Sequence, residues 1–131
     1  MANKLTVESF LEKVGKSRSG HCATGPGKEC DHVVEYQVVV NALNRLEPDT
    51  YSDISLRKLA NFCGRRDNLK SVKAEENQKK GQAIRRFLEG NTPKKDDKKY
   101  VESVRNKWKK TENKLPGFVK FKAAMNETLR L

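Results

Sequence analysis

An aspartate and a histidine stand side by side as Asp31-His32 in the stretch KECDHVVEYQ (28–37), just before the most apolar run of the chain. Together they offer the parts of a hydrolytic site. A carboxylate is a hard oxygen donor suited to Mg²⁺ or Mn²⁺, and an imidazole accepts a proton near neutral pH. The plain alternative is a polar pair closing a buried strand. Glu35 adds a second carboxylate. In an extended strand it shares the parity of Asp31, with His32 pointing the other way. In a helix starting near His32 it stands one turn further on. Either geometry brings it near the pair.

The same region holds His21 and Cys22 ahead of Cys30 and His32, a set that zinc could take tetrahedrally. Seven residues, ATGPGKE, separate the cysteines, more than the two to four or so of a zinc knuckle. A hairpin could also join them as a disulfide. A second constellation lies in NLKSVKAEENQKKG (68–81), where Asn68 opens a short apolar strand. Asn77 follows nine residues later and leads into Lys80 and Gly81, an N-x-x-K-G pattern at the front of a helix.

The elements that must position these residues follow from periodicity. Thr6 caps a helix with Phe10, Leu11 and Val14 on one face, closed by Gly15. Residues 17–28 are rich in Ser and Gly and read as a loop. Residues 30–37 read as a strand from their β-branched content, and 38–46 as a helix closed by Pro48. A capped helix spans 53–64, with Asp53 as its expected cap and Gly64 as its stop. NLKSV (68–72) is extended, and 73–90 is a helix containing Gly81. Glycine in that setting costs about 1 kcal/mol against alanine, which suggests a close approach. After the charged turn 91–99, residues 100–110 and 116–131 read as two closing helices. Trp108, spaced helically from Val101 and Val104, fits the core better than an exposed stacking platform.

The totals describe one domain of 131 residues with 28 Lys and Arg against 17 Asp and Glu, a net charge of +11. The charge is polarised. Residues 1–63 carry 8 basic and 8 acidic residues, whereas 64–131 carry 20 and 9. A basic half attracts polyanions through its field and through counterion release, so nucleic acid is the leading partner and a membrane is not expected. The first residues lack the apolar core of a signal peptide, and no run reaches the ~20 apolar residues of a membrane span. Three cysteines give no disulfide framework. These features lead us to expect an intracellular protein, cytoplasmic or nuclear.

The D-H pair, the Asn-Leu of the second strand and the N-x-x-K helix together resemble the HNH branch of the His-Me finger (ββα-metal) endonucleases. The resemblance covers about residues 29–33 and 66–82. It implies an α+β, mostly helical fold built on a small β-hairpin plus helix. The finger core would span about 29–90, with a helical insertion at 38–64 and a basic helical extension at 91–131. It further implies that His32 is the general base, that Asp31 and Asn77 bind the divalent metal (Mg or Mn, with Zn the alternative), and that Asn68 fixes the backbone near His32. Lys80 would approach phosphate. Glu35 would assist catalysis or ligation, and Arg65, Arg66, Lys73, Lys79, Arg85 and Arg86 would hold nucleic acid, DNA in preference to RNA. Two other readings stay open: a catalytically silent nucleic-acid-binding module, and a domain that meets an acidic protein partner.

Overall fold

The computed structural model describes residues 4–16, 22 and 25–131. Helix α1 (Val7–Val14) begins where Thr6 and Ser9 cap each other's backbone N–H groups. It ends where Gly15 adopts φ 68°, a left-handed conformation that glycine enters without steric cost. Strand β1 (Lys28–His32) pairs antiparallel with β2 (Leu69–Lys73), in the register Lys28 to Lys73, Asp31 to Lys70 and His32 to Leu69. The expected loop 17–28 and His21 fall largely or wholly outside the described residues.

The strand expected at 30–37 is corrected: it starts at Lys28 and stops at His32, and helix α2 (Tyr36–Leu43) takes over two residues earlier than the helix expected at 38. The physical reason is the supply of backbone partners. β1 has a single neighbour, and that neighbour begins at Leu69 after a 3₁₀ turn over Arg66–Asn68. The amide of Val33 still finds the Asn68 carbonyl at 2.8 Å, and beyond it no strand is available. Val34, Val38 and Val39 are fully buried, so their backbone must be satisfied internally, and a helix does this where an unpaired strand cannot.

The insertion at the hairpin tip consists of α2 and α3 (Asp53–Cys63), with Ser52 rather than Asp53 as the capping side chain of α3. Helix α4 (Ala74–Leu88) leaves β2 without an intervening loop. Helices α5 (Lys98–Thr111) and α6 (Val119–Thr128) complete the fold. They are not an appendage. Trp108, Phe121, Met125 and Leu129 belong to the same buried cluster as Phe10, Val34, Val38 and Ile84. Trp108 meets Phe62 and Phe121 edge-on at 5.9 and 6.2 Å, and its indole N–H donates to Asn126 Oδ1 at 3.0 Å. The basic residues of α5 therefore ride on the outward face of a core helix. No helix among the described residues is long and apolar enough to cross a membrane.

Candidate functional site

The hairpin, the start of α2 and the front of α4 meet around one cavity of about 900 Å³. Three buried polar side chains build its frame. Asn68, 2% exposed, lies where the chain returns from the insertion. Its Oδ1 accepts from the Val34 amide at 2.8 Å, and its Nδ2 donates to the carbonyls of Val34 at 3.1 Å and Cys63 at 2.7 Å. One carboxamide thus ties the backbone just after His32 to the end of α3. Buried backbone groups need such partners, and a side-chain amide supplies a donor and an acceptor at once.

Lys80 is the second framing residue, and its placement corrects an expectation. It does not face outward to phosphate. Its ammonium is buried at 4% exposure, 2.8 and 3.0 Å from the two Asp31 carboxylate oxygens. It also donates to the carbonyls of His32 at 3.2 Å and Val33 at 2.9 Å, and Glu35 stands 3.6 Å away. Asp31, 6% exposed, is the third. Asp31 borders the cavity, whereas Lys80 lies outside its lining, among the described residues. The ammonium therefore braces the carboxylate from behind.

His32 and Asn77, far apart in the sequence, both line this cavity. His32 is 9% exposed, with its ring 4.8 Å from that of Tyr36. Burial pushes the Tyr36 phenol up to about 12, so it is neutral beside the imidazole at working pH. Asn77 Nδ2 donates to Glu29 Oε2 at 3.2 Å, a bond that does not engage the amide oxygen. Glu35 also lines the cavity and hydrogen-bonds Gln37. Burial raises its pKa, opposed by the attraction of Lys80. Among the described residues, no three His, Cys, Asp or Glu side chains cluster to hold a metal ion. The oxygen donors that border the cavity include the carboxylates of Glu29, Asp31 and Glu35 and the amide of Asn77.

The predicted phosphate contacts, Lys80 aside, separate into three sets. Arg85 lines the cavity. Arg65, Arg66, Lys73 and Lys79 are exposed away from its lining, with Arg65 on Asp67 and Lys79 on Glu75. Arg86 turns to Asp97 at 2.8 Å. Cys22 and Cys30 are joined to each other, so their sulfurs are not thiolate ligands for zinc in this form. Sequence reasoning missed Glu29. Its signal was the parity it shares with Asp31 along β1. It gave no role to Gln37, Gln78 and Gln82, which line the cavity and carry no recognisable motif.

No protein-family model matches this sequence, and no curated protein or solved structure matches it either.

Proposed function

We propose that the protein is a metal-dependent endonuclease of the HNH type that hydrolyses phosphodiester bonds of DNA, with RNA as the alternative substrate. The observation that carries this reading is the convergence of Asp31, His32 and Asn77 on one cavity at the junction of a two-stranded hairpin and the helix that follows it. The donors fit a hard dication in kind. A carboxylate that reaches the cavity and an amide oxygen suit Mg²⁺ or Mn²⁺, with Glu29 and Glu35 beside them. When bound, such an ion neutralises negative charge developing on phosphate and leaving oxygen.

The chain's own residues do the rest. His32 takes a proton from the attacking water on its imidazole nitrogen. Asn68 fixes the backbone that carries this ring. Lys80 holds Asp31 in place. Arg85 and the exposed basic residues bind the strand through its phosphates, which orients it without reading sequence. An intracellular setting, cytoplasmic or nuclear, belongs to the same proposal, which then requires the Cys22–Cys30 pair to be reduced there.

The test is incubation with supercoiled plasmid and Mg²⁺ or Mn²⁺, with and without chelator, beside His32→Ala. The expected result is nicking that needs the metal and disappears in the variant. One observation favours a second reading: the ammonium of Lys80 already neutralises Asp31. In a silent nucleic-acid-binding module, the protein would bind with a steep salt dependence and cut nothing.

A further inference from the structure

The middle of α4 contains a glycine that the fold does not require. Gly81 is not among the residues with positive φ, and α4 runs through it from Ala74 to Leu88. A Cβ placed on it would meet no atom within 4 Å outside its own stretch of helix, so no neighbour occupies the place of its missing side chain. Glycine in a helix interior is destabilising relative to alanine. The chain keeps it where its missing side chain leaves space, in the wall of the cavity.

The neighbours of Gly81 define what that space is for. Asn77 and Arg85 stand one turn before and one turn after it on the same helical face, and all three border the cavity. Gln78 and Gln82 flank this stripe, and Gln37 Nε2 donates to the Gly81 carbonyl at 3.1 Å, pinning the helix backbone to α2. The stripe from Asn77 to Arg85 spans about 12 Å of helix axis, the rise of three or so stacked nucleotides. The charges set its direction. Glu29 accepts from the Asn77 amide at the first end, the Lys80 ammonium offsets Asp31 and Glu35 between the ends, and the Arg85 guanidinium at the other end has an exposed contact with Glu89 at 3.6 Å. An anionic group is repelled from the first end and held at the second.

Resting on the nuclease reading, we propose that Gly81 is the floor of a subsite for the sugar–phosphate backbone of a single nucleic-acid strand, and that Arg85 binds the phosphate next to the one that is cut. The strand crosses the helix where no side chain blocks it, and its neighbouring phosphate pairs with the guanidinium.

The test is Gly81→Ala, measured by thermal melting and by anisotropy of a short fluorescent single-stranded DNA in chelator. The melting temperature is expected to rise by a few degrees, while binding weakens about tenfold because the new methyl overfills the strand's path. Arg85→Gln should lower the slope of log affinity against log salt by about one. Gly81→Ala binding as wild type overturns the subsite. So does a lower melting temperature, which would give Gly81 a structural duty, and so does a wild type that binds no DNA, which overturns the nuclease reading as well. If His32→Ala binds normally but no longer cuts while Gly81→Ala binds and cuts normally, the subsite falls and the nuclease reading stands. If Gly81→Ala loses binding while His32→Ala cuts like wild type, His32 as the general base, and with it the HNH-type reading, falls and the subsite stands.

Discussion

Replacing Lys80 by methionine separates a buried counterion from a surface lysine. Methionine matches the length of the lysine stem and fills irregular core space, so the packing term is small and the charge is what changes. The ammonium has two contacts to Asp31 at 2.8 and 3.0 Å and one each to the carbonyls of His32 and Val33 at 3.2 and 2.9 Å. Its loss leaves a carboxylate at 6% exposure without its cation. Breaking a buried pair in this way costs about 3–5 kcal/mol, against under about 1 kcal/mol for an exposed one. For a domain of this size that corresponds to a drop of roughly 10–20 °C in Tm. Urea unfolding followed by circular dichroism measures it directly. Asp31→Asn combined with Lys80→Met should recover much of the loss, because the stranded charge is gone, giving a coupling energy of about 2 kcal/mol or more. A loss below 1 kcal/mol or so for the single variant, or strict additivity in the double one, would refute the assignment of Lys80 as an internal counterion.

Three further outcomes are expected. Asn68→Ala should cost about 2–4 kcal/mol in urea unfolding, since it leaves one buried N–H and two buried carbonyls without a partner. Asn68→Asp should cost more, because a carboxylate oxygen would then face both carbonyls. The Asp67 carboxyl is held down to about 2 from 3.8 by hydrogen bonds from Lys114 and Arg65. Its folded pKa lies below its unfolded one, so the stability it contributes is present above about pH 4 and is lost as pH falls through about 2. Melting temperatures against pH should therefore show the advantage of wild type over Asp67→Asn shrinking across that window, by a small amount because the carboxylate is a third exposed. Reduction of the Cys22–Cys30 bond, which closes a loop with a sequence separation of 8, should lower stability by about 2–3 kcal/mol on chain-entropy grounds. Melting with and without reductant, beside Cys22→Ser, checks that value.

The legible parts of the chain were those with local signals. Thr6 and Gly15 bracket α1, and NLKSV followed by a long polar-faced helix reads as β2 and α4 almost to the residue. Trp108 also fell to the core, as its spacing from Val101 and Val104 indicated. The boundary after His32 was not legible, because a valine-rich run buried on all sides looks alike in a strand and in a helix. Only the shortness of β2 decides it. Lys80 was misread for a different reason. Lysine is almost never fully buried unless it is paired, and its pairing depends on Asp31, on a strand 49 positions earlier. Asn68 posed the same problem, since its bonds to Val34 span 34 positions.

The hairpin that carries Asp31 and His32 is interrupted by two whole helices, and the buried cluster is completed by Phe121, Met125 and Leu129 near the far end of the chain. During synthesis β1 therefore emerges with nothing to pair with until some forty residues later, and the core stays open until α6 arrives. Local helices form in microseconds, whereas joining distant segments is slow. A chain still being made thus holds the imidazole and the amide apart until β2 and α4 have followed β1, so the order of the elements separates in time the making of the two walls of the cavity.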